Sequence, residues 1–155
     1  MTENVMHMIK IVSNQLSREI NNFAKQFGLT GVQLQIIDYI NHLPQNQFVY
    51  QKDIEREFNI RRSTATSVLQ KMEENQLIIR NVSPSDSRIK IISALPKAEE
   101  IQPQISRFLE TTNEQLLSCL SAFQRRSFIK ALEKLPEQID LMTTKEEDHD
   151  HKNRL

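Results

Sequence analysis

Apolar side chains recur every three or four residues through the first part of the chain, at Val5, Ile9, Val12, Leu16, Ile20, Phe23 and Phe27. This spacing places them on one face of a long helix. Gly28 should end that helix, because glycine readily adopts positive φ. Thr30 is a suitable N-cap for a second helix, whose apolar positions continue to Leu43 before Pro44 interrupts them.

The next stretch predicts two short helices across a tight turn. Ile54 and Phe58 are four residues apart, and Asn59 follows them, a residue that tolerates left-handed backbone geometry. Ser63 could cap the second helix, or the two arginines before it could lie in the first turn. Two helices in this arrangement form a helix-turn-helix. The apolar face of the second helix is predicted to consist of Ala65, Val68, Leu69 and Met72.

Two isoleucine-rich segments, "LIIRNV" and "RIKIIS", flank the turn-forming sequence "SPSDS" and predict a β-hairpin. Residues 143–155 contain almost no apolar side chain and predict a disordered tail. The expected fold class is mainly α with a small β-hairpin wing. Helical spacing returns after Pro96, at Ile101, Ile105, Phe108, Leu109, Leu116, Leu120, Phe128, Ile129, Leu132 and Leu135.

We predict one domain over residues 1–142, with a central lobe at about 30–95 and helical segments at 1–29 and 96–142. The helical segments carry more apolar surface than so small a lobe can cover. They are therefore expected to pack against each other and against a second subunit.

The chain has 155 residues, a formal net charge of zero and a single cysteine. A neutral chain can still carry a local basic face, and residues 56–90 contain seven Lys or Arg against four Asp or Glu. The sequence has no signal-peptide pattern and no apolar run of membrane-spanning length. These features predict a soluble cytoplasmic protein with no membrane partner.

The second helix of the helix-turn-helix also has a polar face, formed by Arg62, Ser63, Thr66, Ser67, Gln70 and Lys71. Short hydroxyl side chains allow close approach to DNA, amides donate to base edges, and cations neutralise phosphates. An ordinary solvated face is the alternative explanation of the same residues.

The predicted hairpin favours DNA binding over a solvated face. Arg80, Arg88 and Lys90 flank its loop, and an arginine near a loop tip can enter the narrow minor groove. Asp86 would repel phosphate if unpaired, so it should either restrain the Arg88 guanidinium or accept from a backbone amide in the turn.

The segments "NIRRSTATSVLQKMEENQLIIR" and "DSRIKIISAL" closely resemble the multiple antibiotic resistance regulator (MarR) family of winged-helix transcription factors. The resemblance covers about residues 5–140. Its most specific parts are "MEENQLIIR" and the pair Asp86 and Arg88 in the wing. The family commonly has glycine where Gln76 stands and a Leu-Thr pair where Ala94 and Leu95 stand.

The resemblance implies a winged helix-turn-helix homodimer with no catalytic activity and no cofactor, whose terminal helices form the dimer interface. It implies a transcriptional repressor that binds double-stranded DNA at a pseudo-palindromic operator. Arg88 would enter the minor groove, with Asp86 as its wing partner. A small organic effector between the lobes would modulate binding. The complete set of predicted DNA-binding residues is Arg61, Arg62, Ser63, Thr64, Thr66, Ser67, Gln70, Lys71, Arg80, Asp86, Arg88 and Lys90.

Other functions would leave different patterns in the sequence. A winged-helix protein-interaction module would present an apolar or acidic helix face, and a small helical enzyme would need converging titratable groups. A metal-responsive regulator could use His149 and His151, but a polar tail does not hold ligands in tetrahedral geometry, so no metal site is predicted. Cys119 lies along an apolar helix flank and is predicted to be buried and not an oxidation sensor.

Overall fold

The computed structural model describes the backbone of residues 4–44 and 46–152, and the side chains of these ranges as far as Met142. The mainly α architecture with a small sheet confirms the predicted fold class. The chain divides into two compact units, one ending at Phe108 and the other beginning at Leu109. In chain order the elements are α1 (Val5–Ala24), a 3-10 turn (Lys25–Phe27), α2 (Gly31–His42), β1 (Val49–Tyr50), α3 (Gln51–Glu57), α4 (Arg62–Glu74), β2 (Ile78–Val82), β3 (Lys90–Ala94), α5 (Pro96–Leu117) and α6 (Ala122–Lys152).

The junction between α1 and α2 follows the predicted signals. Gly28 has a φ of 69° and closes the turn. The Thr30 hydroxyl accepts from the Gln33 N–H at 3.3 Å, and Gln33 Oε1 accepts from the Thr30 N–H at 3.0 Å. Asn21 Oδ1 of α1 accepts from the Gly31 N–H at 2.7 Å. A Cβ at position 31 would lie 3.0 Å from that same oxygen, so the close approach of the two helices favours glycine.

The helix-turn-helix is formed by α3 and α4. Asn59, in the turn between them, has the expected left-handed geometry with a φ of 47°. Of the two predicted starts of α4, the Ser63 cap is wrong. The helix begins at Arg62, which lies in the first turn as the alternative proposed, and Arg61 occupies the N-cap position without a side-chain hydrogen bond. The Ile60 N–H donates back to α3 at 3.0 Å. Because this hydrogen bond closes the turn tightly, the chain is helical again before it reaches Ser63.

The hairpin is present as predicted, with β2 and β3 antiparallel and Arg80 opposite Ile92. β1 pairs with the other edge of β3 and gives the strand order β1-β3-β2. The sequence did not predict β1, because a strand of two residues is too short to show alternation. Gln76, just before β2, has a φ of 58°. This left-handed geometry explains why glycine suits the position.

The first unit buries its core between α2, α3, α4 and the sheet. α1 and α5 contribute to the same unit through buried Ala24 and Ile105. Phe23 of α1 also stacks on Phe108 of α5, with ring centroids 3.9 Å apart. The largest fully buried side chains are Leu34, Ile36, Ile37, Ile54, Leu69, Met72, Leu77, Ile78 and Ile105.

In the second unit, α5 ends at Leu117 and a turn leads into α6. Ser121 and Gln124 cap α6 reciprocally, through the Gln124 N–H to Ser121 Oγ at 3.3 Å and the Ser121 N–H to Gln124 Oε1 at 2.9 Å. Cys119 lies in this turn and is exposed in the single chain, so its predicted burial is wrong. The apolar spacing placed Cys119 on a helix between Leu116 and Phe123, but α5 ends at Leu117 and α6 begins only at Ala122.

α6 extends to Lys152, so the backbone of residues 143–152 is helical and differs from the predicted disordered tail. Extending an existing helix avoids the cost of nucleation, and the Lys and Glu residues in this segment favour helix. Residues 153–155 lie outside the described residues, as do the side chains of His149 and His151.

Many apolar side chains near the two ends of the described chain are exposed in a single copy. The exposed residues are Val5, Met6, Met8, Ile9, Ile11 and Val12 in α1, and Phe123, Phe128, Ile129, Leu132, Leu135, Ile139, Leu141 and Met142 in α6.

Among the residues that the structure describes, no helix has the length and apolar character needed to cross a membrane.

Candidate nucleic-acid interface

α4 has one buried and one exposed face. Ala65, Leu69 and Met72 have no exposed surface, which anchors the helix in the core. The helix therefore has the orientation that the sequence predicted, while contacts with DNA stay a prediction. The exposed predicted residues on and beside α4 are Arg61, Arg62, Ser63, Thr64, Thr66, Ser67, Gln70 and Lys71.

The N-terminus of α4 is suited to an anion. No side chain caps its first N–H groups, and its first turn contains no acidic residue. The helix dipole places partial positive charge at this end, where Arg62 adds a full charge. A phosphate of a DNA backbone is an appropriate ligand for such a helix end.

Gln51, the first residue of α3, holds the start of α4. Its Nε2 donates to Thr66 Oγ1 at 2.9 Å and to Glu55 Oε1 at 3.0 Å. The Thr66 hydroxyl in turn donates to the Arg62 carbonyl at 2.9 Å. The Thr66 hydroxyl is thus engaged in hydrogen bonds within the protein, although the residue is exposed like Ser63 and Ser67. Gln51 was not predicted from the sequence, because no short-range pattern pairs it with a residue fifteen positions away.

The wing places its charged residues differently. Asp86 Oδ1 accepts from the Arg88 N–H at 2.9 Å, which is the backbone-amide alternative for this side chain. Below the tip, the Ser83 N–H donates to the Ile89 carbonyl at 2.8 Å. Arg88 and Lys90 are exposed. The acid therefore shapes the turn from which these two cations project.

Arg80 is not displayed in the same way. Its guanidinium donates to Glu73 Oε2 from Nη2 at 2.6 Å and from Nε at 2.9 Å. These hydrogen bonds lower the pKa of Glu73 below its usual range. Of the three predicted wing cations, Arg80 is the one that forms an ion pair with a carboxylate.

A cleft of about 590 Å³ lies between the helix-turn-helix and the wing. It brings Arg62 and Thr66 of α4 together with Arg88 and Lys90 of the wing. It also contains residues of β1 and α3 that were not predicted from the sequence, because they lie outside α4 and the hairpin. The polar residues lining the cleft are Tyr50, Gln51, Lys52, Asp53, Glu55, Arg56, Arg62, Thr66, Arg80, Arg88 and Lys90.

The carboxylates of the cleft already accept hydrogen bonds from neighbouring side chains. Asp53 Oδ1 accepts from Arg56 Nη2 at 2.9 Å, and Glu55 accepts from Gln51. With Lys52, Arg62, Arg88 and Lys90 on its walls, the cleft has a basic excess. Among the residues with described side chains, no group of three or more His, Cys, Asp or Glu is placed to hold a metal ion.

The three-stranded sheet packed on a helix-turn-helix defines a winged-helix protein. A sequence model described as MarR family matches residues 27–89. The solved transcription regulator MarR from Oenococcus oeni PSU-1 is 37% identical to this chain, with 86% of this chain and 99% of that chain covered and a TM-score of 0.77. The chain belongs to the MarR family, whose members are transcription regulators and not enzymes.

Two further solved structures share the fold. A Listeria monocytogenes protein described as a MarR family transcriptional regulator, complexed with 26mer DNA, has 23% identity and a TM-score of 0.79, covering 89% of this chain and 90% of that chain. The MepR–DNA complex of S. aureus has 19% identity and a TM-score of 0.80, covering 88% of this chain and 96% of that chain.

Proposed function

We propose that the protein is a homodimeric transcription regulator that binds double-stranded DNA at a pseudo-palindromic operator. The observation that carries this proposal is the cleft in which the uncapped N-terminus of α4 faces the cations of the wing. The basic excess of this cleft suits a nucleic-acid backbone, with α4 in the major groove and Arg88 in the adjacent minor groove. The relatives solved with DNA support this ligand.

The proposed DNA contacts are the exposed members of the predicted set. Residues at the start of α4 would read base edges or bind nearby phosphates, and Arg88 would respond to minor-groove width and charge. Thr66 and Asp86 would act indirectly, because their side chains hold the helix start and the wing tip. The direct contacts we propose are Arg61, Arg62, Ser63, Thr64, Ser67, Gln70, Lys71, Arg88 and Lys90.

The homodimer is proposed from the apolar faces of α1 and α6. Scattered exposed apolar residues are ordinary, but stripes repeated along two helices are typical of protein interfaces. A two-fold dimer would present two copies of α4 to successive major grooves, which is why a pseudo-palindromic site is expected. We place this dimer in the cytoplasm, where its proposed DNA ligand is found.

We further propose that the protein is a repressor that releases DNA when a small organic effector binds beside α2 and α5, as the family resemblance implies. Gln102 of α5 and Asp38 of α2 are joined there at 3.1 Å, with Ser106 donating to the same carboxylate at 3.0 Å. Gln102 Oε1 is buried without a hydrogen-bond partner among the described residues, so a donor on a ligand would satisfy it.

Titrating the protein–DNA complex with small aromatic carboxylic acids tests the effector. A peroxide titration of wild type and Cys119→Ser serves as the contrast. Release by peroxide from wild type only would replace the organic effector with oxidation of the exposed cysteine. Transcription in a reporter assay, with and without the protein, tests the sign of regulation.

DNA binding itself is tested with the duplex upstream of the protein's own coding sequence and a scrambled duplex, over a salt series. Arg88→Ala should weaken binding to most sequences and lower the salt slope by about one per arginine, hence about two per dimer. Arg62→Ala should cost about 1–3 kcal/mol per half-site if it reads a base, and should then relax the choice at one position.

Both substitutions are at exposed positions, so thermal melts should be close to wild type. If Arg62 binds a phosphate instead of a base, its variant will resemble Arg88→Ala. Unchanged affinity in both folded variants would remove the proposed DNA-binding surface. A protein-interaction module without DNA binding would then be the better explanation of the fold.

A further inference from the structure

Glu73 and Arg80 form the most extensively hydrogen-bonded ion pair described in the structure. Arg80 Nε and Nη2 donate to Glu73 Oε2 at 2.9 and 2.6 Å, and the Arg80 backbone N–H donates to Glu73 Oε1 at 3.2 Å. One carboxylate therefore holds both the side chain and the main chain of Arg80. The Arg80 side chain is 19% exposed and that of Glu73 is 37% exposed.

The pair spans the connection between α4, the proposed DNA-recognition helix, and the wing. Glu73 lies in the last turn of α4, and Arg80 is the third residue of β2. Between them the chain reverses through Gln76, with its φ of 58°. β2 is at an edge of the sheet, so its outward N–H groups have no neighbouring strand. Glu73 satisfies one of them and thereby fixes β2 against α4.

Direct phosphate binding by Arg80 would conflict with these bonds. Its guanidinium would have to leave a carboxylate that already neutralises its charge and organises its planar donors. Arg88 and Lys90, on the same hairpin, are exposed and carry no such restraint in their hydrogen bonds. The sequence pattern treats these cations alike, whereas the geometry separates them.

We propose that Glu73 and Arg80 are positioning residues, which set the wing at the correct place beside α4, and that Arg80 does not contact DNA. This inference rests on the proposed function, since it concerns the placement of a DNA-binding wing. It reverses the effect expected from charge alone. An acid close to DNA repels phosphate, yet here removal of the acid should weaken binding by releasing the wing.

The test compares Glu73→Gln, Arg80→Gln and the double variant by DNA affinity over a salt series, with the upstream duplex as probe. Each single change should weaken binding by a similar factor, about tenfold, and the double variant should lose no more than the worse single variant. All three should keep the wild-type salt slope, because no phosphate contact has been removed.

Two further variants separate positioning from charge. Arg80→Lys keeps the charge but lacks the planar fork, so it should bind DNA about as weakly as Arg80→Gln. Glu74→Gln is the matched control, because this exposed neighbour accepts from Gln70 on α4, a bond that the carboxamide can keep. Among the described residues it makes no hydrogen bond or ion pair with the wing. Its affinity should equal or slightly exceed that of wild type. Thermal melts and dimer mass establish that each compared variant is folded.

The inference is overturned if Arg80→Gln lowers the salt slope by about two per dimer while Arg80→Lys binds normally, since Arg80 would then be a phosphate contact. It is also overturned if Glu73→Gln binds as tightly as wild type or more tightly. Should Glu73→Gln fail to fold, the contrast between Arg80→Lys and Arg80→Gln still decides. Failure of the proposed function looks different, because wild type itself would then not bind the upstream or the scrambled duplex.

Discussion

Leu69 in α4 and Leu132 in α6 occupy similar places in their helices, each within an apolar stripe with polar residues opposite. Their surroundings differ. Leu69 has 0% of its surface exposed and Leu132 has 45% exposed in the single chain. The apolar stripe of α4 is covered by other elements of the first unit, whereas α6 presents its stripe along the helix from Phe128 to Met142.

An amphipathic pattern therefore specifies a face to be covered but not the surface that covers it. The hydrophobic effect has no direction and depends on the apolar area removed from water. In the central lobe, neighbouring elements of one chain provide the cover. For α6, a second copy of the chain provides it in the proposed dimer. Substitutions in the two regions should therefore have different consequences.

The largest expected effect is that of Leu132→Glu on dimerisation. A two-fold interface would bury two unpaired carboxylates at about 3–5 kcal/mol each, so the dimer should lose about 6 kcal/mol or more. Light scattering at micromolar concentration should give a monomer mass. Lys130→Glu is the matched control, because two residues turn a helix by about 200° and place it on the opposite face. An intact Leu132→Glu dimer would show that α6 is not the interface.

Leu69→Ala should affect folding instead of assembly. Leucine-to-alanine changes at fully buried sites cost about 2–5 kcal/mol, through lost transfer free energy and the cavity that remains. Chemical denaturation should show this loss, with the mass at low temperature still that of the dimer. Ser67→Ala, on the exposed side of α4, should stay within about 0.5 kcal/mol of wild type. Wild-type stability of Leu69→Ala would contradict a core formed within one chain.

Gln76→Gly should stabilise the central lobe by about 1 kcal/mol or less. Glycine relieves the positive φ, which costs other residues about 1–2 kcal/mol, but it also increases the entropy of the unfolded chain. The neighbouring Asn75 has a φ of −83°, so Asn75→Gly brings only the entropic cost and should destabilise. Denaturation of both variants checks the opposite signs, and equal signs would contradict the strain at Gln76.

The smallest effect concerns the loss of stability at low pH. Arg80 lowers the pKa of Glu73 in the folded protein, so their pairing contributes stability above the unfolded pKa and loses it as pH falls through the folded pKa. Between about pH 7 and about pH 3, wild type should lose slightly more stability than Glu73→Gln. Urea denaturation at both pH values measures the difference. Solvent screening of these partly exposed side chains keeps it small, and identical losses would mean that the pair contributes nothing.

The sequence predicted the features that depend on a few neighbouring residues. Gly28 and Asn59 adopt the expected left-handed geometry, and Thr30 caps α2. Prediction failed at Ser63, where closure of the preceding helix outweighed a local capping preference. It also failed at Cys119, because the apolar spacing placed this residue on a helix flank, whereas it lies in the turn before the Ser121 cap. In each failure, the pattern used for the prediction competed with a turn or a cap a few residues away, and the turn or cap decided the structure.

Local sequence patterns were enough to predict the helices and the hairpin between residues 5 and 142, though not β1 or the helical backbone of residues 143–152. They also predicted which face of α4 is buried and where the cations of the candidate interface lie in the chain. Which of those cations are displayed depends on the folded structure. Arg80 meets Glu73 seven residues away across a turn, and Gln51 meets Thr66 from another helix. Local propensities act over one or two turns of chain, whereas ion pairs and hydrogen bonds depend on distances that exist only after the elements have packed.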